Sequence, residues 1–313
     1  MHARGYSAPL QEAITDFGAD EPFAKVVEKV RRHYGVDIST YAARTVTLTH
    51  AHQIEALGGE ASCEQDKSAS TLIAEMDGSL VPCVKMDETA EDRRKTRKTE
   101  WKEVKLCLVR QPEKVNPVFA VTPEGPDEAG RLLEEAARKA GLSRKTWVHG
   151  VGDGAPWIAD QMNLHFGTQG AYLIDFYHVC EYLAAAAPVC AQDAKAWLDQ
   201  QKERLKANEV QAVLTALFPY REPEAQEGQA AQPVRKACQY LSNRRAHLDY
   251  KGALERELPI GSGEIESGHR QVVQKRIKRP GAWWLLGNVG AMANMIAARL
   301  NGGWDSYWGR VAA

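Results

Sequence analysis

The chain has 313 residues, of which 44% are hydrophobic and 26% are charged, so it is long enough to bury a substantial core. Its 40 basic and 41 acidic residues nearly cancel, which excludes a global attraction to nucleic acid and leaves only local patches for such binding. The six cysteines form no C-x-x-C pair, so we expect neither a zinc ribbon nor a disulfide scaffold. No apolar run approaches the ~20 residues that span a bilayer, and the N-terminus lacks the apolar core of a signal peptide. We therefore expect a cytoplasmic protein without a membrane partner.

Residues 1–60 are predicted to be helical. Apolar residues recur at helical spacing over 10–17 and 22–34, and Ser39 stands at a capping position before a further helix. Two helices joined by a short turn containing glycine are typical of a helix-turn-helix, although any small helical bundle gives the same spacing more often. The polar residues 58–70 indicate a linker.

Residues 70–188 show strands first, and then strands that alternate with helices. Apolar runs predict strands over 71–84 (a pair or one bent strand), 103–110, 118–121, 147–151 and 171–176. Helical spacing predicts helices over 127–141, 156–166 and 179–187. This order indicates an α/β fold, with a mixed five-stranded sheet and helices packed on its faces.

Residues 189–258 carry no strand signal. Leucine, valine and tryptophan recur there at helical spacing around a polar loop at 221–232, which predicts an α-helical insertion. A glycine-rich break then puts Ser262 at a helix N-cap position, and an apolar, alanine-rich helix over 287–300 closes the fold. The expected order is a small helical region (1–60), the first part of the core (70–188), the insertion (189–258) and the last part of the core (259–313).

Three carboxylates are candidates for chemistry. Asp77 belongs to an Asp-Gly pair in the first strand region, Asp153 ends a buried strand, and Glu266, with Glu264 as its rival, lies in the first turn of the late helix. Each has an ordinary explanation as a hairpin turn, a capped strand-to-helix turn or a solvated helix face. Together they place acids on two strands and a helix of one sheet. Oxygen ligands without His or Cys suit Mg²⁺ or Mn²⁺ rather than zinc.

A further pair, Asp175 and His178, follows an apolar strand. A zinc site is conceivable there, but no second His or Cys pair has the spacing to complete it. A histidine in this position is more often hydrogen-bonded in a packed corner.

Two basic stretches are candidates for phosphate contacts. They consist of Arg93, Arg94, Lys95, Arg97 and Lys98, and of Arg270, Lys275, Arg276, Lys278 and Arg279. Such stretches are usually solvated faces, and as DNA contacts they would give salt-sensitive, sequence-independent affinity. Trp283 and Trp284 follow the second stretch, and either could stack on an unpaired base. Core packing is the commoner role, and we expect it for at least one of them.

Four motifs in this order resemble the ISKra-type insertion-sequence transposases, which are DDE transposases with an RNase H-like core. The motifs are Met76-Asp77-Gly78, Gly152-Asp153-Gly154-Ala155-Pro156-Trp157-Ile158, Asp175-Phe176-Tyr177-His178-Val179-Cys180-Glu181 and Gly261-Ser262-Gly263-Glu264-Ile265-Glu266-Ser267. The resemblance extends from about residue 70 to residue 300, and less specifically to the N-terminal helices. It implies an RNase H-like fold with an α-helical insertion.

The resemblance also implies site residues and partners. Asp77, Asp153 and Glu266 would be the catalytic acids that hold two Mg²⁺ or Mn²⁺ ions, while Asp175 and His178 match a D-x-x-H signature that supports the site without binding metal. The implied partners are double-stranded DNA, as transposon ends and target, and further copies of the chain assembled on that DNA. The implied location is the cytoplasm, in association with the nucleoid.

The expected function is therefore that of a DDE transposase, which cleaves transposon-end DNA in a metal-dependent reaction and transfers the strand into target DNA. Two alternatives remain open. One is a non-catalytic or truncated transposase-derived DNA-binding protein, and the other is an RNase H-fold nuclease that cuts without joining.

Overall fold

The computed structural model describes residues 5–58, 67–87, 89–224 and 232–312. It begins with three helices, α1 (Ala8–Asp20), α2 (Phe23–Tyr34) and α3 (Thr40–Leu57). Gly35 ends α2 in the left-handed region, and the Ser39 hydroxyl accepts a hydrogen bond from the Ala42 N–H at the start of α3. The predicted helices at the N-terminus are thus present, with α1 longer than expected.

The sheet contains five strands, β1 (Thr71–Lys85), β2 (Lys98–Arg110), β3 (Val118–Thr122), β4 (Trp147–Gly152) and β5 (Gly170–Ile174). Their spatial order is β3-β2-β1-β4-β5. The first three strands form an antiparallel meander, and β4 and β5 continue the sheet in parallel with β1. This is the RNase H-like mixed sheet that the sequence predicted, with residues 71–84 in one long strand.

Three helices connect and cover the strands, α4 (Pro126–Lys139), α5 (Pro156–Phe166) and α6 (Phe176–Cys190). Side chains alternate between the two faces of β1 because successive residues of a strand point to opposite sides. Leu72, Ala74 and Met76 pack with α4 and α5 in one core cluster. Glu75 and Asp77 therefore belong to the other face of the sheet.

The insertion is helical, as predicted. It comprises α7 (Ala194–Lys206), α8 (Val210–Leu217), α9 (Pro233–Asn243) and α10 (Tyr250–Glu255). Its buried residues Leu205, Val213 and Leu241 share a cluster with Leu183 of α6 and Ile174 of β5. The insertion thus extends the core of the sheet instead of standing apart from it.

The last segment lies on the opposite face of the sheet. It comprises α11 (Gly263–His269), a π-helical turn (Arg270–Gln274), α12 (Leu286–Leu300) and α13 (Trp304–Ala312). Ile265 and Met292 pack with Leu106 and Leu108 of β2, and Ile54 of α3 joins the same cluster. Within the described ranges, no helix combines the length and the apolar character that crossing a membrane requires.

Candidate active site

Asp77 lies within β1, and Asp153 directly follows the neighbouring parallel strand β4. Glu75 of β1 is opposite Val151 of β4, and each aspartate comes two residues later in the chain. The Asp77 carboxylate accepts a hydrogen bond from the Gly78 N–H at 2.7 Å and is about one-third exposed. The exposed Asp153 carboxylate accepts one from the Ala155 N–H at 2.8 Å. The pairing of β1 with β4 therefore places Asp153 just beyond the end of the strand that neighbours Asp77.

Glu266 faces Asp77 from α11. The two residues line one cavity of about 210 Å³, together with Ser79 and His269. Glu264 points elsewhere, since its carboxylate is paired with the Arg110 guanidinium of β2. The structure therefore brings Glu266, and not Glu264, beside Asp77.

Asp153 is not part of the lining of this cavity. Across the described ranges, no three His, Cys, Asp or Glu side chains are arranged closely enough to hold a metal ion. Asp77 and Glu266 nevertheless line one cavity, and carboxylate oxygens are the ligands that a hard cation such as Mg²⁺ prefers. Two of the three predicted acids thus line one cavity, and the third lies in the loop that follows β4.

Asp175 connects α6 to the segment that carries Glu266. One oxygen of its carboxylate accepts the backbone N–H groups of Tyr177 and His178, which caps α6. The other accepts both the N–H and the hydroxyl of Ser262, each at 2.6 Å, immediately before α11. Asp175 therefore positions α11, which accords with a supporting role.

His178 lies in an aromatic corner. Its ring packs edge-on against Tyr182 and Tyr240, and its Nδ1 is 3.4 Å from a carboxylate oxygen of Glu181. Tyr182 and Tyr240 stack on each other with their centroids 4.2 Å apart. This arrangement resembles the packed corner that the sequence favoured over a zinc site.

The loop that carries Asp153 is fixed by the insertion. The Tyr240 hydroxyl donates to the Asp153 carbonyl, and the Arg244 Nε donates to the Gly154 carbonyl. Gly154 has a φ of +86°, a conformation that favours glycine, and the Tyr240 hydroxyl occupies the space that a side chain would need. α9 therefore determines where the second aspartate lies.

Glu75 is a residue of this region that the sequence reasoning missed. It is buried on β1, two residues before Asp77 on the same face, and its Oε2 accepts the Ile265 N–H of α11 at 2.8 Å. Its Oε1 has no hydrogen-bond partner among the described residues. Burial raises the pKa of this carboxyl to about 8, against the opposing effect of the Ile265 N–H. The sequence signal that could have identified Glu75 was an acidic residue inside the apolar run of a predicted strand.

His269 was missed as well. It follows Glu266 by one helical turn, is 3% exposed, and has its Nε2 3.3 Å from the Asp77 Oδ2. Within the described part of the chain, neither ring nitrogen has a hydrogen-bond partner. A buried imidazole thus touches the candidate catalytic aspartate.

The first basic stretch contains a short 3₁₀ turn and the start of β2. Lys95, Arg97 and Lys98 are exposed, and the Arg97 guanidinium lies 4.8 Å from the centroid of the Trp283 ring. The side chains of Arg93 and Arg94 fall outside the described part of the structure.

The second basic stretch is divided between surface and core. Lys275 and Arg279 form ion pairs with Asp20 and Glu21 at the junction of α1 and α2, both at 3.3 Å. Arg276 is buried, so it offers no surface guanidinium. The N-terminal helices thus neutralise part of the stretch.

The remaining cations of that stretch are near the candidate acids. The exposed Arg270 lies 4.0 Å from Glu266, and the Lys278 ammonium donates to the Ser79 hydroxyl at 3.4 Å. Of the two tryptophans, Trp284 is buried and donates its Nε1–H to the Ile277 carbonyl, whereas Trp283 is 45% exposed.

The chain is similar to one protein family and, more weakly, to a solved transposase structure. A model of the uncharacterised protein family UPF0236 matches residues 68–311. No curated protein is significantly similar in sequence. Among solved structures, the Drosophila P element transposase strand transfer complex is similar at 14% identity, over 98% of this chain and 82% of that chain, with a TM-score of 0.37. So low a TM-score supports no argument about the site.

Proposed function

The chain belongs to the uncharacterised protein family UPF0236, and from its own residues we propose that it is a DDE transposase. One observation carries the proposal: Asp77 and Glu266 line the same cavity, and Asp153 directly follows β4, the strand that pairs in parallel with the strand of Asp77. Carboxylates on these elements of an RNase H-like sheet are the arrangement that phosphodiester cleavage by metal ions needs.

Asp77, Asp153 and Glu266 would hold two Mg²⁺ or Mn²⁺ ions. Such ions supply activation of the attacking oxygen and stabilisation of the leaving oxygen at phosphorus. The contribution of the chain is to position these three carboxylates. β1 holds Asp77, and the insertion holds the loop of Asp153 after β4. α11 carries Glu266, and its start is anchored by Asp175 through Ser262 and by Glu75 through Ile265.

The assignment of the chain to the ISKra type of transposase rests on the four motifs that resemble that family. The third and fourth motifs are physically joined, since Asp175 accepts both hydrogen bonds from Ser262. This supports a common structural role for the two motifs, and the resemblance then gives the proposed reaction, which is cleavage of transposon-end DNA followed by strand transfer. Double-stranded DNA and further copies of the chain, assembled on paired ends, are the proposed partners, and the nucleoid is the proposed location.

Cleavage of DNA that contains the element itself tests the proposal. We would incubate the protein with a supercoiled plasmid carrying its own gene and flanking DNA, in Mg²⁺ or Mn²⁺, and map the ends of the products. Asp77→Asn, Asp153→Asn and Glu266→Gln should each reduce cleavage by more than about 100-fold, because even the outer partners of metal ligands are worth 10–100-fold. Glu264→Gln on the same helix is the matched control and should retain cleavage.

A non-catalytic DNA-binding protein is the second candidate. It is favoured by the failure of the described acidic and histidine side chains to form a three-ligand cluster. In that case the wild-type protein binds the plasmid without cutting it. A nuclease would release ends without joining them, and a target plasmid in the same reaction distinguishes that outcome from strand transfer.

A further inference from the structure

A cleft of about 570 Å³ lies at the far end of β1. Its walls come from α2, α3, the end of β1 and the loop before α12. We call it the arginine–tryptophan cleft, after Arg44, Arg97, Arg276 and Trp283 in its lining. It shares no lining residue with the cavity of Asp77 and Glu266.

The arginine–tryptophan cleft is positively charged. It is lined by the exposed Arg44 and Arg97 and by the buried Arg276, and no acidic side chain is among the described residues of its lining. Arg276 donates its Nε–H to the Gly18 carbonyl, while its buried Nη2 has no hydrogen-bond partner in the described ranges. Burial lowers the pKa of this guanidinium to about 10, so it remains charged at neutral pH. The charge of the cleft therefore favours an anion.

The cleft also contains an accessible aromatic ring. Trp283 is 45% exposed, whereas its neighbour Trp284 is buried and holds the loop against β1 through a hydrogen bond from the Val84 N–H to its carbonyl. Phe23 and Leu48 add apolar surface to the lining. A fixed loop thus presents one tryptophan beside guanidinium groups.

We propose that the arginine–tryptophan cleft binds an unpaired nucleotide of a DNA strand. Its base stacks on Trp283, and its phosphate contacts Arg97 and Arg44. A ring that accepts a base and cations that accept its phosphate are together the chemistry of single-strand binding. A paired base has no free face to offer, so a fully duplex segment does not fill the cleft. This inference rests on the proposed function for the identity of the partner as DNA.

The cleft is distant from the candidate acids. Val84 in its lining is seven residues along β1 from Asp77, or about 23 Å at ~3.3 Å per residue. A nucleotide in the cleft is therefore not the one at the bond beside Asp77.

Binding in EDTA tests the cleft without catalysis. The probe is an oligothymidylate of about 12 nucleotides, a length within known single-strand site sizes, with one 2-aminopurine and a fluorescein label. We expect Trp283→Ala to weaken binding by about 5- to 100-fold, the range of one base–aromatic stack, and to abolish the quenching of 2-aminopurine. Trp283→Phe should retain most of both. Arg97→Gln should reduce the salt dependence of binding.

Phe218→Ala, at an exposed aromatic residue of the insertion, is the matched control and should bind like the wild type. Thermal unfolding of each variant verifies that it folds. If Trp283→Ala binds and quenches the oligonucleotide as the wild type does, the cleft assignment is wrong, while a salt-dependent affinity for duplex DNA still supports the proposed function. If the wild-type protein binds neither single-stranded nor duplex DNA, both proposals fail.

Discussion

At the scale of single residues, the surroundings of Asp77 determine what its carboxylate can do. Its Oδ1 accepts the Gly78 N–H, and its Oδ2 is 3.3 Å from the buried His269 Nε2. An imidazole held against a carboxylate limits the directions in which that carboxylate can turn. We therefore expect His269 to orient Asp77 toward the cavity that Glu266 shares.

Removing this contact should weaken metal binding. We expect His269→Leu to lower the affinity for Mn²⁺ by about 10- to 100-fold, as for other partners that orient metal ligands. His269→Gln, whose amide can donate from nearly the same position, should retain most of it. Titration calorimetry with Mn²⁺ measures both, with Asp77→Asn as the control that loses binding. Equal affinities of His269→Leu and the wild type would show that His269 does not position Asp77.

Glu75 makes stability depend on pH. Its folded pKa is raised from 4.5 to about 8, so its contribution is fully present below about pH 4.5 and is lost as the pH rises through 8. Glu75→Gln retains an acceptor for the Ile265 N–H but cannot ionise. Its free energy of unfolding should therefore rise relative to that of the wild type between pH 5 and 8, by at most about 1.4 kcal/mol per pH unit. Urea denaturation across this range measures the difference, and parallel curves would contradict the prediction.

At the scale of elements, α11 is a short helix held by residues distant in sequence. Seven residues provide few internal hydrogen bonds, so isolated helices of this length are unstable. Asp175 anchors the residue before it, and Glu75 accepts an N–H from its first turn. The position of Glu266 therefore depends on β1 and α6 as much as on the helix that carries it.

Ser262→Ala should reveal this dependence. The change removes the hydroxyl bond to the Asp175 carboxylate, and we expect it to destabilise the fold by about 1.5–3 kcal/mol, the value of a hydrogen bond to a charged group. Cleavage should fall because Glu266 is less well positioned. Ser242→Ala, on the exposed face of α9, is the control and should not be destabilised. Urea denaturation separates the two, and equal stabilities would show that the bond contributes nothing.

At the scale of the whole molecule, the N-terminal helices are packed onto the last helices of the chain, α12 and α13. Arg299 of α12 pairs with Asp16 and Asp20 of α1, and His50 of α3 hydrogen-bonds the Tyr307 hydroxyl of α13. The acids at the end of α1 also offset cations of the second basic stretch. These ion pairs thus reduce the positive charge that the second basic stretch presents at the surface.

The sequence by itself determined the types of the elements and their order. Helical spacing and alternating strands are local patterns, and the alternation of strands and helices restricts how a sheet can be connected. The mixed five-stranded sheet and the helical insertion followed from these patterns, and the RNase H-like character of the sheet was implied by the resemblance of four motifs. The acidic candidates could also be identified, because Asp77, Asp153 and Glu266 lie in short motifs that resemble those of a transposase family.

Only the tertiary structure decided which side chains meet. It turned Glu266 toward Asp77 and Glu264 toward Arg110, buried Arg276 and Trp284, and brought Glu75 and His269 to the site. These outcomes depend on strand register and on helices packed from distant parts of the chain. One residue of register, or one-third of a helical turn, exchanges a buried side chain for an exposed one, and no local pattern in the sequence records that difference.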